Sequence, residues 1–276
     1  MNTARVLMLL LSLMVSRAVY AQYSEDEGGI ELESGYLRYL GIGGGATYQV
    51  MNDPAVSPII YSRVGALPMI TNLKINNTIY SELSMRASRI NLTHNTDKLM
   101  KVKTRTQRAL ADYRFMLRIP SEEMRNWDIR AGGIFSAMFM HKNSPHLYDA
   151  SKVYEYAVSL GLSGRIIREI TLWGKTSYFT WDVSLPLIAN VSRPYFLNRE
   201  EIEDPENKII GEFLSNSKTG SIGTFSRLDS RVAILYRLDN GNAVQFAYEW
   251  DYGRIKTFEK SYFAEHIVSV LFMFNY

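Results

Sequence analysis

Polar and apolar residues alternate along this chain in long, repeated runs, and that period of two constrains the fold more than any other feature. Val244, Phe246, Tyr248, Trp250 and Tyr252 alternate with Ala243, Gln245, Ala247, Glu249 and Asp251. Tyr154, Tyr156, Val158, Leu160 and Leu162 alternate with Glu155, Ala157, Ser159, Gly161 and Ser163. The stretches from Arg108 to Ile119, Trp127 to Phe139 and Arg227 to Leu238 divide in the same way. Successive side chains of a strand point to opposite faces, so each run makes a ribbon with one greasy and one polar side.

The pattern predicts ten strands, over 37–50, 64–76, 79–92, 106–119, 127–140, 153–166, 172–190, 226–238, 242–253 and 262–276. Most have 12 to 15 residues, against about 5 or 6 in soluble domains. At roughly 3.3 Å per residue and a 45° tilt, 13 residues rise about 30 Å, the thickness of a bilayer's hydrocarbon. Short connections at 76–78, 120–126, 167–171 and 239–241 alternate with longer ones at 51–63, 93–105, 141–152 and 191–225; 254–261 is shorter. An even number of strands, short turns on one side and longer loops on the other describe a closed antiparallel transmembrane β-barrel, all-β, with 8 to 12 strands as the bounds around ten.

The polar faces carry the charge. In this register Lys74, Arg86, Arg108, Arg114, Arg118, Arg130, Arg165, Arg227, Arg231 and Arg237 point into the barrel, with Glu82, Asp112, Asp128, Glu155, Asp182, Asp229, Glu249, Asp251 and Glu265. A slip of one residue would turn a strand's set to lipid, where a mid-membrane Arg costs about 2–4 kcal/mol. Arg89, Lys175 and His266 face outward only near strand ends. Tyr39, Tyr48, Tyr113, Trp127, Tyr154, Tyr236, Trp250 and Tyr252 lie near strand ends, where interfacial aromatic girdles belong.

The N-terminus reads as an export signal. Arg5 precedes the apolar run Val6–Val15, which is too short to span a bilayer as a helix, and Val19-Tyr20-Ala21 offers a cleavage site. Residues 1–21 are then removed, 22–36 form an acidic periplasmic lead-in with Glu25, Asp26, Glu27, Glu31 and Glu33, and 37–276 form the barrel. The signal carries Arg5 and Arg17 and no acid, so the 31 Lys and Arg and 28 Asp and Glu of the whole chain leave the mature protein with a net charge of +1. No basic stripe with interleaved aromatics points to nucleic acid. The absence of cysteine excludes disulfides, thiolate metal sites and lipid attachment at a cysteine.

The chain ends Val268, Val270, Phe272, Phe274, Tyr276, apolar at every second place and closed by an aromatic. This ending resembles the insertion signal of Gram-negative outer-membrane β-barrels. The resemblance implies the outer membrane as location, the barrel-assembly machinery as partner during biogenesis, and outer-membrane lipid and lipopolysaccharide as surroundings. Gly41-x-Gly43-Gly44-Gly45 and Ser57-Pro58-x-x-Tyr61 look like barrels of the Bacteroidota, a resemblance that brings no activity with it.

A ten-stranded bore is only slightly wider than one that side chains fill. The charge network of Arg86, Arg108, Asp112, Arg114, Arg118, Arg130, Glu155, Asp182, Arg227, Asp229, Arg231, Glu249 and Asp251 therefore reads as a paired polar plug. The expected role is structural or partner-binding, with an unidentified protein as a candidate partner. The competing readings are a small-solute channel and an outer-membrane lipid hydrolase. Outer-membrane phospholipases, lipid A deacylases and omptin proteases share this architecture. Their sites need His beside Ser, or Asp–His with further acids, and His266-Ile267-Val268, His94 with Thr96, and His141, His146 and Asp149 do not complete one. The expectation is a non-enzyme without cofactor or metal. In the loops, Lys98, Lys101, Lys103 and Arg105 offer point charges to phosphate, and Glu200, Glu201, Glu203, Asp204 and Glu206 offer oxygens to cations.

Overall fold

The structure is a computed structural model that describes residues 36–54, 57–93, 103–120, 127–145, 152–193, 217–257 and 260–276. The proposed signal, most of the lead-in, and His94, Thr96, His146, Asp149 and the acidic group at 200–206 lie outside these residues.

Eleven strands form one antiparallel sheet: β1 (Tyr36–Asp53), β2 (Ser57–Asn76), β3 (Ile79–Thr93), β4 (Lys103–Ile119), β5 (Asp128–Asn143), β6 (Lys152–Leu172), β7 (Lys175–Ser192), β8 (Lys218–Ser221), β9 (Phe225–Arg237), β10 (Ala243–Lys256) and β11 (Lys260–Asn275). Neighbours in sequence pair from β1 to β7, β9 pairs with β7 and β10, and β1 pairs with β11 to close the ring. The four-residue β8 lies in line with β9. It continues the pairing along β7 beyond the turn at Ile222–Thr224, so the wall is a closed barrel of ten strands.

The wall is inside-out relative to a soluble protein. Phe246 and Phe272 are 52% and 56% exposed, whereas Arg114 and Glu249 are 2% and 4% exposed. Tyr48, Leu83, Tyr113, Phe115, Phe135, Leu160, Trp181 and Val268 join the exposed apolar belt. A belt of this extent is stable against hydrocarbon and unstable against water. No helix of the described residues is long and apolar enough to cross a membrane.

Several boundaries differ from the sequence reading. β2 begins at Ser57 rather than 64, because β1 and β2 pair in register up to Asn52↔Ile60 and, after a shift, at Asp53↔Ser57. β6 continues to Leu172, and the turn expected at 167–171 is instead Trp173-Gly174. Both turn residues have positive φ, 49° and 77°, as a two-residue type I′ hairpin requires. Trp173 is held there edge-on to Tyr236, with ring centroids 5.6 Å apart.

Two residues face the other way. Lys74 points outward, because the alternate positions Leu67, Met69, Thr71, Leu73 and Ile75 fill the inward side of β2. Its place near the Asn76 turn puts it at the membrane–water interface, where such a charge costs about 0–1 kcal/mol. Tyr39 is not a girdle residue: it is fully buried, and its hydroxyl donates to the Gly241 carbonyl at 3.3 Å.

Glycine matters most at the closing seam. A Cβ on Gly43 or Gly45 would fall 2.2 or 2.1 Å from the Val270 or Val268 carbonyl oxygen of β11. The first and last strands can approach as they do because those atoms are missing. A bulge in β7 does related work: Leu160 pairs with Ile188 and Gly161 with Pro186, so Leu187 is the extra residue. Beyond it the inward positions switch from Asp182 and Ser184 to Ala189 and Val191.

Candidate functional site

The bore is filled in layers. At the end that carries the short turns, Leu37, Tyr39, Leu73, Tyr80, Met116, Tyr178, Leu271 and Met273 belong to an apolar cluster. Toward the other end lie Leu110, Met138, Phe225, Ile255 and Phe263, and beside them Met51, Tyr61, Ile90 and Leu92. The sequence reading expected a paired polar plug. The apolar layers extend it at both ends: Leu110 and Met116 share the inward parity of Asp112 and Arg114, so the inward face changes character from layer to layer.

Between these layers sits the ionic network, and its pairs cross the bore. Glu82 on β3 is one hub: it accepts from Arg231 Nη1 and Nη2 on β9 at 2.8 and 2.6 Å, from Arg165 Nη2 on β6 at 3.1 Å, and from the Tyr80 hydroxyl. Arg165 and Arg231 also share Asp182, and the Arg165 guanidinium lies 3.8 Å over the Tyr80 ring. Asp251 on β10 is the second hub, accepting from Arg227 Nε at 2.8 Å, Arg108 Nη2 at 2.8 Å and Arg86 Nη2 at 3.1 Å. Arg86 also pairs with Glu249, and Arg108 lies 2.8 Å from Glu265. Arg227 reaches Asp112 at 3.0 Å, where Ser136 also donates. Arg114 joins the hubs through Asp229 at 2.8 Å and Glu82 at 3.9 Å.

β3 faces β9, and β4 faces β10, five places away in the ring of ten. The Arg231–Glu82 and Arg108–Asp251 pairs therefore span the diameter. Fixed in this way, the groups satisfy one another in a setting where an unpaired charge would be costly.

Twelve of the thirteen residues singled out from the sequence are buried inside: Arg86, Arg108, Asp112, Arg114, Arg130, Glu155, Asp182, Arg227, Asp229, Arg231, Glu249 and Asp251. Arg118 lies at the turn-end rim with its side chain 22% exposed, 3.7 Å from Asp128, which also receives Arg130 at 2.7 Å. Glu155 belongs to a separate group near the loop end. Lys142 Nζ donates to Glu155 at 2.9 Å and to Asp53 at 2.7 Å, and Arg193 pairs with the same two carboxylates. Lys142 and Arg193 were missed because both fell in stretches read as loops. Continuing the inward parity of Met138 and Met140 by one step would have found Lys142.

One place in the network is short of positive charge. The central layer holds Glu82, Asp112, Asp182, Asp229, Glu249, Asp251 and Glu265 against Arg86, Arg108, Arg114, Arg165, Arg227 and Arg231, one carboxylate in excess among the described residues. Asp229 stands directly opposite Asp251 in the β9–β10 ladder, and oxygens of Asp229, Glu249 and Asp251 lie within 4.8 Å of one another. Asp229 Oδ2 accepts no hydrogen bond and lies 3.6 Å from Arg227 Nη2. These three are the described residues whose oxygens converge closely enough to ligate a metal, but Arg86, Arg108, Arg114 and Arg227 already engage them.

Of the four histidines, His141 and His266 lie among the described residues, and neither ring is hydrogen-bonded to a Ser, Asp or Glu there. His266 faces outward, its Nδ1 2.7 Å from the Tyr248 hydroxyl. His141 also faces outward, stacked on Tyr154 at 4.5 Å with Nδ1 3.1 Å from Gln107 Oε1. Val270, Phe272 and Phe274 lie on the exposed face of β11, with Tyr276 just past its end accepting from Asn72 at 2.9 Å.

The fold and its filled bore define a closed, ten-stranded antiparallel transmembrane β-barrel. No protein-family model matches the chain, and no curated protein sequence matches it. Among solved structures it is similar to the outer-membrane protease OmpT of Escherichia coli, at 9% identity and a TM-score of 0.43 over 87% of this chain and 96% of that one. It is similar to the β-domain of the Bordetella autotransporter BrkA, at 12% identity and a TM-score of 0.34 over 85% and 99%. A third is the translocator domain of the autotransporter NalP from Neisseria meningitidis, at 7% identity and 0.35 over 98% and 97%. At these values no activity passes from them to this chain.

Proposed function

We propose that this chain is an integral barrel of a Gram-negative outer membrane, exported with a cleaved signal, inserted by the barrel-assembly machinery through its Val270-Phe272-Phe274-Tyr276 ending, and closed to solutes. Its work is structural or partner-binding, and it is not an enzyme. The observation that carries this reading is the direct contact of side chains from opposite walls, Arg231 with Glu82 and Arg108 with Asp251. A path for small solutes would have to break those ion pairs and part the apolar layers above and below.

Purified barrel in a planar bilayer is expected to give no steady single-channel steps, and liposomes containing it are expected not to swell in small sugars. Regular conductance steps would overturn the occluded reading. Incubation with phospholipid or lipid A is expected to release no acyl chain, and release would overturn the non-enzymatic reading.

A further inference from the structure

Charge outside the barrel follows a different rule from charge inside. The lumen balances acids against arginines. At the end that carries the longer loops, every charged side chain that the described residues leave exposed is a cation. The two exposed acids among them, Glu169 and Asp239, are both at the short-turn end.

Four of these cations gather at the loop end of β2, β3 and β4. Arg63 stands at an inward position of β2, opposite Gln49, where the β2–β3 ladder is interrupted, and its exposed side chain reaches Asn91 of β3. Arg63 Nη1 donates to the Asn91 carbonyl at 3.4 Å, and Arg105 Nε donates to Asn91 Oδ1 at 3.2 Å, so two guanidiniums flank one asparagine from opposite sides. Arg89 lies two residues down the same face of β3, about 7 Å away along the strand. Lys103 stands opposite Thr93, next to this group.

The wall beneath is low. Ala66, Ala87, Ala109 and Ala111 face outward there, with Ala87 paired to Ala109 across β3 and β4. Taller side chains bound them: Val64 and Ile70 on β2, Tyr113 on β4 and Phe139 on β5. A cationic cluster above a shallow apolar trough in a membrane wall matches a ligand with anionic oxygens at its head and hydrocarbon below. Guanidiniums favour phosphate because their fork of donors meets two of its oxygens.

We propose that this face binds a phosphorylated, multiply acylated glycolipid of the outer leaflet. Its phosphates are held by Arg63, Arg89, Lys103 and Arg105, and an acyl chain lies in the alanine-floored trough. The proposal rests on the outer-membrane reading, which places the loop end at the outer leaflet.

The test uses the whole folded barrel in maltoside detergent, with native mass spectrometry as readout. The probes are bisphosphorylated lipid A, the same lipid A with its phosphates removed, phosphatidylglycerol and inorganic phosphate. Bisphosphorylated lipid A is expected to bind at least about tenfold more tightly than the other three. The triple substitution Arg63→Gln, Arg89→Gln, Arg105→Gln should abolish that preference. Ala109→Phe, which fills the trough and keeps the charges, should weaken lipid A several-fold. Arg38→Gln with Lys74→Gln at the opposite rim should change nothing.

Equal binding of phosphorylated and dephosphorylated lipid A would overturn the proposal, as would unaltered binding by the triple variant. Phosphatidylglycerol or inorganic phosphate binding as tightly as lipid A would overturn the assignment to a glycolipid. Folding into phosphatidylcholine vesicles, read as heat-modifiable migration on gels, separates the two failures. A chain that never folds there defeats the membrane reading, whereas one that folds and ignores lipid A defeats only this site.

Discussion

Arg231 on β9 and Glu82 on β3 meet across the whole width of the barrel, Nη2 to Oε2 at 2.6 Å and Nη1 to Oε1 at 2.8 Å. The contact is bidentate and buried, and Glu82 also receives Arg165 and the Tyr80 hydroxyl. Removing the carboxylate charge leaves two guanidiniums short of a partner. Glu82→Gln is expected to cost about 3–5 kcal/mol, the range for breaking a buried pair from one side. Urea unfolding of the barrel in vesicles measures it. Glu82→Leu combined with Arg231→Met should cost less than the two single changes added together, because the pair leaves as a unit. Strict additivity would show that the contact carries no coupling energy.

Two aspartates of the same network should respond differently to the same change. Asp112 accepts from two nitrogens of Arg227 and from Ser136. Asp229 faces Asp251 across the ladder, adjoins Glu249, and keeps one oxygen without a donor. Asp112→Asn is expected to destabilise by about 3 kcal/mol or more. Asp229→Asn relieves like-charge crowding while giving up part of its bond to Arg114, and should fall within about 1 kcal/mol of wild type. Equal losses in the same urea titration would show that the surplus charge is not at Asp229.

The seam between β1 and β11 predicts a folding defect rather than a loss of contacts. At Gly45 a new methyl would sit 2.1 Å from a backbone oxygen, which cannot swing aside as a flexible side chain would. Gly45→Ala should hinder closure and reduce the fraction of heat-modifiable, SDS-resistant barrel. Gly223→Ala meets nothing within 4 Å and serves as the control. Normal yields of folded Gly45→Ala would mean that the two strands can part without penalty.

Much of the wall was legible because hydrocarbon outside and charge inside impose opposite chemistry on alternate residues, as from Arg108 to Ile119. Legibility failed where that contrast fades. β2 carries apolar residues on both faces, Leu67, Met69 and Leu73 inward against Ala66, Pro68 and Ile70 outward, so Lys74 was assigned to the wrong side. Its first residues, Ser57 to Arg63, mix Pro, Ser and Arg and resemble a loop until pairing with β1 makes them strand. Trp173-Gly174 lacks the Asn or Asp that usually marks a type I′ turn. Leu187 changes the parity of β7 without a local signal. The charged members of the network were readable one strand at a time. Their partners were not, because Glu82 and Arg231 are 149 residues apart and meet only once the ring is closed.

Closure of the bore should be redundant, and that redundancy can be measured. The central arginines form one barrier, and Tyr39, Tyr80 and Tyr178 with their apolar neighbours form another toward the turn end. Phe225 and Phe263 belong to a third toward the loops. Barriers in series conduct only when all are open, so Arg86→Ser with Arg227→Ser and Arg231→Ser should leave planar bilayers silent. Adding Tyr39→Ala, Tyr80→Ala and Tyr178→Ala removes the second barrier, and the third should still hold ion flow near baseline. Only with Phe225→Ala and Phe263→Ala as well should steps appear. Conductance from the arginine variant alone would mean that the apolar layers are porous to ions and that the ionic network is the sole seal. Each variant must first show heat-modifiable migration, because the arginine changes also leave buried carboxylates without partners.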